Sequence, residues 1–244
     1  MKSEKNRSFR INQKSKKMDK YFVCLAVSYK CGGRCIGGVE VVKNLNNTYS
    51  IVKSNGVPKW VRPVTRGTVH GEIPTSLSST CRVLDVVKLV DAIACPNGAQ
   101  SENYYFRSIE KVGHFEPNSQ VLDLMCDNSH SLIFGNAWGD VSVDSYERLG
   151  YSLMLIKVTD VRFFTEQRYA SSHRRLRVRF SYDNEIYNLP VTDPILSEKA
   201  DQGVEDLNGK SAYYFTISLG VEFRPNPEFP GKHYKLVANV IPMN

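Results

Sequence analysis

Arginines alternate with apolar residues in the segment Arg174–Tyr182, which makes it the clearest candidate for chemistry in this chain. In a β-strand, successive side chains point to opposite faces, so Leu176, Val178 and Phe180 are expected to face a core. The opposite face then presents evenly spaced cations, which is the arrangement needed to contact successive phosphates. The residues proposed for this face are Arg175, Arg177 and Arg179, with His173 and Arg174 directly before them.

Two other segments combine cations with aromatic rings. In the first half of the chain, Trp60 stands between Lys59 and Arg62 and could stack on a base while the cations contact phosphates. A second group lies near the C-terminus, where strand alternation predicts one face shared by two cations and a core position for the tyrosine between them. These residues are His233, Lys235 and Tyr234.

Each of these groups also has a purely structural explanation. A row of arginines on an outward strand face is typical of a solvated surface that prevents edge aggregation. Trp60 is followed by Val61, and a tryptophan in such a position is typical of core or inter-domain packing. Binding of nucleic acid, with single strands preferred, is therefore a hypothesis that depends on all the groups together.

The sequence lacks a recognisable catalytic or metal-binding motif. Cys31 and Cys35 are separated by three residues, but no second pair follows, whereas a structural zinc site takes four ligands. The glycine pairs in Lys30–Gly38 are not followed by the Gly-Lys-Ser/Thr sequence of a phosphate loop. No nucleophile-elbow sequence is present. We therefore expect a non-enzymatic protein with no metal and no cofactor.

The positive charge is concentrated at the N-terminus. The formal net charge is +7, and residues 1–20 hold eight Lys or Arg against two acidic residues, which accounts for +6. Residues 1–19 are expected to form a disordered basic tail, and translation from Met18 is an open alternative to Met1. No secretory signal and no run of about 18 apolar residues is found, so a membrane partner is not expected. The six cysteines are then expected to be reduced thiols, which indicates a cytoplasmic protein.

Short apolar segments separated by turn residues predict a mainly β protein built from two small barrels. The glycine pairs in Lys30–Gly38 predict a tight turn and a bulge. Helices are expected over Ser119–Cys126, capped by Asn118 or Ser119, and over Val143–Leu149. The expected division is a first barrel over 20–115, a connecting segment with short helices over 116–150, and a second barrel over 151–244.

The strands predicted for the two barrels alternate with turns, among them the Thr192–Pro194 turn. The predicted strands are Tyr21–Tyr29, Val39–Lys43, Tyr49–Val52, Lys59–Val64, Cys81–Val90, Tyr151–Phe164, Arg174–Tyr182, Tyr187–Val191, Ala212–Leu219 and Lys232–Ile241.

Several segments together resemble the bacterial dual OB-containing domain family. They are FVCLAVSYKCGGRCIGG at Phe22–Gly38, KWVRPV at Lys59–Val64, LIKVTDVRFF at Leu155–Phe164, RLRVRFSYDNEIYNLPVTDP at Arg175–Pro194 and KHYKLVANVIP at Lys232–Pro242. The resemblance implies two OB-type barrels and a link with bacterial immunity or conflict systems. OB barrels commonly bind single-stranded nucleic acids.

Three functional hypotheses follow. The leading one is a non-catalytic accessory or specificity protein that binds single-stranded nucleic acid, in the setting of a bacterial defence system. The second is an interaction subunit that docks on an effector protein such as an ATPase or a nuclease. The third is a sensor of a small nucleotide held between the two barrels, with Trp60, Trp138 and the tyrosines as stacking residues.

Overall fold

The computed structural model describes residues 17–116, 118–167 and 174–243. His173 and most of the predicted basic tail fall outside the described residues. The described chain is mainly β and contains two large sheets, as the sequence predicted, and a small two-stranded one.

The first large sheet is built from the N-terminal half of the chain. The elements of this half are β1 (Met18–Lys30), β2 (Gly33–Lys43), β3 (Tyr49–Ile51), β4 (Lys53–Ser54), β5 (Val57–Pro58), β6 (Trp60–Pro63), α1 (Thr75–Ser78), β7 (Asp85–Ala94), β8 (Asn103–Tyr105) and β9 (Ser108–His114). Five of the strands close a barrel in the spatial order β1-β2-β6-β8-β7, with β7 pairing back onto β1. Counted along the chain, β6 and β8 are the third and fifth barrel strands. They run parallel to each other, and all other barrel pairs are antiparallel.

The second large sheet repeats this strand order. The elements of the C-terminal half are α2 (Ser119–Met125), β10 (Asp140–Ser142), α3 (Val143–Leu149), β11 (Leu153–Gln167), β12 (Arg174–Tyr182), β13 (Glu185–Pro190), α4 (Pro194–Ala200), β14 (Ala212–Phe223) and β15 (Lys232–Met243). The sheet order is β10-β15-β14-β11-β12-β13, and a parallel bridge from Val191, directly after β13, to Val237 on β15 closes the barrel. Each half is thus a five-stranded barrel of the OB type.

Glycines form the corner of the first barrel, as predicted. The turn between β1 and β2 places Cys31 at φ 40° and Gly32 at φ 84°, a conformation that glycine adopts without steric cost. Further along, the pairing shifts between Cys24 and Ala26, which is a bulge opposite Gly37 and Gly38. A side chain at Gly38 would collide with the carbonyl oxygen of Val23, so the two strands approach closely only because this residue is glycine.

Most element predictions are confirmed, but several differ from the structure. The strand predicted over Val39–Lys43 begins at Gly33, and β9 was not predicted. Helix α2 begins where the sequence indicated, since the Asn118 side chain accepts a hydrogen bond from the Gln120 amide at 2.8 Å. The predicted strand Cys81–Val90 is wrong at its start, because β7 begins at Asp85. Asp193 does more than form a turn: its carboxylate accepts hydrogen bonds from two amides and caps α4, a helix that the sequence did not predict. No helix in the described ranges is long and apolar enough to cross a membrane.

Three clusters of buried apolar residues hold the structure together. One fills the first barrel around Phe22, Ile36 and Leu89, and another fills the second barrel around Phe180 and Phe215. The third cluster lies between the barrels. It joins residues from the outer faces of both barrels to helix α2: Val23, Leu25, Val39, Val41, Leu122, Met125, Leu155, Tyr214 and Ile241. The two barrels therefore share a packed interface.

Candidate nucleic-acid interface

OB barrels bind oligonucleotides on the outer face of their second and third strands, with help from neighbouring loops. In the first barrel this face consists of β2 and β6, and the second barrel covers it. A Cβ placed on Gly37 would lie 2.9 Å from Leu153 Cδ1 at the start of β11. Trp60 on β6 is half-buried and packs against the cluster between the barrels. Its position matches the packing explanation rather than that of an open stacking ring.

Arg62 lies inside the same interface and is only 2% exposed. Its Nη2 is 3.2 Å from Glu102 Oε1, and that oxygen also accepts a hydrogen bond from the Ser152 hydroxyl at 2.5 Å. Because Ser152 directly precedes β11, this buried network ties the first barrel to the second. Arg62 therefore forms a buried ion pair and does not lie on an open strand face.

Lys59 is exposed on the first barrel and stands apart from the other candidate cations. Its Nζ lies 3.5 Å from Glu40 Oε2, and Glu40 also forms an ion pair with Lys20. Lys59 thus belongs to a partly neutralised group with Glu40 and Lys20 on the first barrel.

In the second barrel the same strand face is open and basic. Leu176, Val178 and Phe180 are at most 4% exposed, so the predicted alternation of Arg174–Tyr182 is confirmed. The outward side chains range from half-buried to exposed, and Arg174 is exposed at the start of the strand. We refer to the outward residues of β12 and of the adjoining end of β11 as the arginine face: Arg162, Phe164, Glu166, Arg175, Arg177 and Arg179.

Arg177 connects this face to the third barrel strand. Its Nε donates to Asn188 Oδ1 at 2.9 Å, and its Nη2 donates to the Asn188 carbonyl at 2.8 Å. Nε also lies 3.5 Å from Glu166 Oε2, a carboxylate that is 57% exposed. These contacts fix the guanidinium on the surface.

Arg162 is a member of this face that sequence reasoning missed. It lies directly opposite Arg179 in the antiparallel pair of β11 and β12, and both are exposed. A pairing irregularity at Asp160, where φ is 55°, separates Arg162 from the preceding part of β11. Neither arginine has an acidic partner within 4 Å among the described residues. The polar break at Thr159–Asp160 was the available signal that the strand alternation restarts there.

The predicted orientation of the C-terminal group is wrong. His233 is 6% exposed and stacks on Tyr146 with a ring separation of 3.6 Å, and Lys235 is fully buried. Tyr234, which was expected in the core, is 36% exposed. The reason is a bulge in β15. Ile217 pairs with Val237 and Thr216 pairs with Asn239, so Ala238 is the extra residue that shifts the alternation of the strand.

Lys235 has a structural role in the second barrel. Its Nζ donates to the carbonyls of Ile133 and Asn136 and to Asn136 Oδ1, at 2.5, 2.7 and 2.8 Å. Burial lowers the pKa of this ammonium to about 7. These contacts hold the loop before β10 against the barrel, so Lys235 is unavailable to an external ligand in this conformation.

A cleft of about 550 Å³ lies between the barrels next to the arginine face. The turn between β1 and β2 forms one wall, and β12 and the β14–β15 hairpin form the other. We call it the inter-barrel cleft. Its charged and aromatic lining residues are Tyr29, Lys30, Arg62, Asp140, Arg175, Arg177, Phe223 and Tyr234.

The inter-barrel cleft brings together three of the cations predicted from sequence: Arg62, Arg175 and Arg177. It adds Phe223, an aromatic residue that no sequence-based hypothesis included. Phe223 is 55% exposed and its ring lies 6.1 Å from that of Tyr234. Trp60 does not line this cleft, and neither does Trp138, which is 76% exposed elsewhere.

Several solved structures share a distant likeness with this chain. A replication protein A heterotrimer bound to single-stranded DNA matches with a TM-score of 0.37 and 8% identity, covering 97% of this chain and 52% of that chain. This chain thus spans about half the length of that protein. The p202 HIN2 tetramer (TM-score 0.28, 11% identity) covers 93% of this chain and 94% of its own. The Ifi202 HINa domain in complex with 20 bp of double-stranded DNA matches with a TM-score of 0.32 and 7% identity, and this match covers 92% of this chain and 94% of that chain.

Likeness at these TM-scores says nothing of what this chain binds. The search of curated proteins finds no significant match. A family model described as "Dual OB-containing domain" matches residues 20–240, almost the whole chain. The family resemblance noted in the sequence is confirmed by this match and by two barrels with the same strand order. The chain belongs to the dual OB-containing domain family.

Proposed function

We propose that this protein binds single-stranded nucleic acid on the arginine face of the second barrel, without catalysing a reaction on it. The observation that carries the proposal is the direct opposition of Arg162 and Arg179 on an open strand pair, with no acidic partner among the described residues. Like charges directly opposite each other destabilise a sheet. A phosphate between the two guanidiniums would turn this repulsion into attraction.

The composition of the arginine face supports the same ligand. Its outward side chains include four arginines and one glutamate, Glu166, so the face has an excess of positive charge although the folded chain is nearly neutral. A backbone that carries one negative charge per nucleotide is the polymer that matches such a face.

Aromatic rings next to the arginines favour a single strand. Phe164 lies on the arginine face opposite Arg177, and Phe223 and Tyr234 are exposed at the edge of the adjoining cleft. Bases of a single strand can stack on such rings, whereas bases in a duplex are already stacked on each other. The proposed role is therefore that of an accessory or specificity protein, within a bacterial defence system as the family resemblance implies.

The test is a salt titration of binding to a fluorescent 15-nucleotide oligothymidylate, measured by anisotropy with the full chain. In the variant Arg162→Gln/Arg175→Gln/Arg179→Gln, three phosphate contacts are removed. We expect the dissociation constant at 50 mM salt to rise at least about 30-fold. Each contact contributes about 0.7 to the slope against log salt for single strands, so the slope is expected to fall by about 2.

The matched control is Lys43→Gln/Lys53→Gln/Lys59→Gln, which removes three exposed charges from the first barrel. Both triple variants retain the basic residues 1–16, so the difference between them reports on the arginine face alone. The control is expected to stay within about threefold of the wild type. Equal weakening in the two variants, or no binding by the wild type at low salt, contradicts the proposal.

A further inference from the structure

The inter-barrel cleft has the size of a small-ligand site. Its volume of about 550 Å³ lies within the roughly 300–1,000 Å³ that is typical of such pockets. Both barrels contribute to its walls, and apolar groups such as Pro190, Leu219 and Leu236 alternate with polar ones. The cleft is concave, unlike the arginine face that continues beyond it.

The charges that line the cleft are strongly unbalanced. Lys30, Arg62, Arg175 and Arg177 contribute to the lining, and Asp140 is the one carboxylate among its described residues. That carboxylate is already paired with Lys232, whose Nζ lies 3.1 Å away. Outside the lining, the buried Glu102 pairs with Arg62 and the exposed Glu166 lies 3.5 Å from Arg177. An anion is therefore the ligand that the lining favours.

Arg62 provides a donor that has no partner. Its side chain is almost completely buried, and its Nε has no hydrogen-bond partner among the described residues, although Nη2 contacts Glu102. A buried unsatisfied donor costs about 1–3 kcal/mol. The side chain lines the cleft while Nε itself is buried, so an oxygen of a bound ligand accepts this hydrogen bond only where the guanidinium turns toward the cleft.

Lys30, at the end of β1, contributes a second cation from the first barrel to the lining of the cleft. Burial lowers the pKa of its ammonium, and the Arg62 guanidinium also lowers it, whereas Cys35 and Glu72 act in the opposite direction. Two cations that approach each other in a partly buried place repel, and a bound anion would remove that repulsion.

Aromatic rings stand at the rim of the same cleft. Tyr29 is 46% exposed, and Phe223 and Tyr234 are exposed to a similar extent. A planar base can stack against these rings while an attached phosphate reaches the cations. A terminal phosphate monoester carries a charge of about −1.5 to −2, more than the single charge of an internal phosphodiester.

We propose that the inter-barrel cleft binds a nucleoside phosphate, with the phosphate between Lys30 and Arg62 and the base against the rim tyrosines. The ligand is the phosphorylated end of a single strand or a free mononucleotide, and the two sources share this chemistry. Binding of a strand end in the cleft rests on the proposed function, because the adjoining arginine face would hold the rest of the strand.

The experiment compares three 15-nucleotide oligothymidylates that differ only in their ends and carry an internal fluorophore. One has a 5′-phosphate, one a 3′-phosphate, and one has hydroxyls at both ends. We expect one phosphorylated strand to bind the full-length protein at least about tenfold more tightly than the hydroxyl strand. Adenosine 5′-monophosphate, but not adenosine, is expected to raise the melting temperature if the cleft takes free nucleotides.

Lys30→Gln is expected to remove the preference for the phosphorylated strand. Lys30→Arg, which keeps the positive charge, is expected to retain that preference. Lys43→Gln, an exposed residue of the first barrel, is the control that keeps the preference. Equal binding of all three strands together with no response to adenosine 5′-monophosphate overturns the inference, even where the strands still bind and the proposed function stands. A response to the mononucleotide without strand binding supports the cleft and contradicts the proposed function.

Discussion

The two barrels use the outward positions of their second strand in opposite ways. In the first barrel these positions are small or apolar and are buried against the second barrel: Gly37, Val39 and Val41. In the second barrel they remain open and are arginines: Arg175, Arg177 and Arg179. The strand order of the barrels is the same. Side-chain size and charge at these positions, rather than topology, therefore separate a packing surface from a candidate binding surface.

The same contrast applies to individual arginines. Arg62 and Arg177 both lie on the second-to-third strand face of their barrel. Arg62 and its partner Glu102 are at most 4% exposed, whereas Glu166, the partner of Arg177, is more than half exposed. The free energy that each ion pair contributes should differ accordingly, because removing one member of a buried pair leaves the other charge uncompensated.

The largest expected effect on stability is that of Arg62→Met. It leaves the Glu102 carboxylate buried without its cation, so we expect the free energy of unfolding in urea to fall by about 3–5 kcal/mol. Arg177→Met removes the same type of residue from the open face and is expected to cost about 1 kcal/mol or less. Equal losses in the two variants would contradict the assignment of one closed and one open face.

The double variant Arg62→Met/Glu102→Met sharpens this result. It removes both buried charges, so it should recover most of the stability that Arg62→Met loses. A double variant as unstable as the single one would show that the contact with Ser152, rather than the charge pair, holds the two barrels at this point.

A smaller effect is expected from adding volume at the outward positions. Gly37→Leu places a side chain where Leu153 already lies, so we expect overpacking to lower the free energy of unfolding by about 1–3 kcal/mol. Arg179→Leu adds the same side chain to the open face and should stay within about 0.5 kcal/mol of the wild type. Urea unfolding measures both. If the free energy of unfolding of the Gly37→Leu variant equals that of the wild type, the contrast between a packed face and an open face is contradicted.

Local patterns in the sequence predicted the parts of the structure that depend on local physics. Strict alternation in Arg174–Tyr182 gave the correct faces because the strand has no bulge. The cap at Asn118 and the turn at Cys31–Gly32 follow from backbone hydrogen bonding and glycine conformation, which act over a few residues. The β12 arginines of the arginine face were therefore predictable from the sequence, whereas its β11 members Arg162, Phe164 and Glu166 were not.

The parts that were missed depend on distant residues or on an irregular strand. Arg62 looked like an outward cation because its partner Glu102 is 40 residues away in the sequence. Lys235 and Tyr234 exchanged faces because a bulge at Ala238 shifts the alternation of β15. The carbonyl groups of Ile133 and Asn136 make a core position tolerable for Lys235, and no pattern within β15 indicates them.

The central claim is that a single strand lies on the second-to-third strand face of the second barrel and not on the corresponding face of the first. The most direct measurement is ultraviolet cross-linking of the full chain to a 15-nucleotide strand containing 4-thiothymidine, followed by mass-spectrometric mapping of the attached peptides. We expect cross-links at Phe164, Phe223 or Tyr234, beside the arginine face and in the rim of the cleft. Cross-links confined to Trp60 and its neighbours, or to residues 1–16, would contradict the claim.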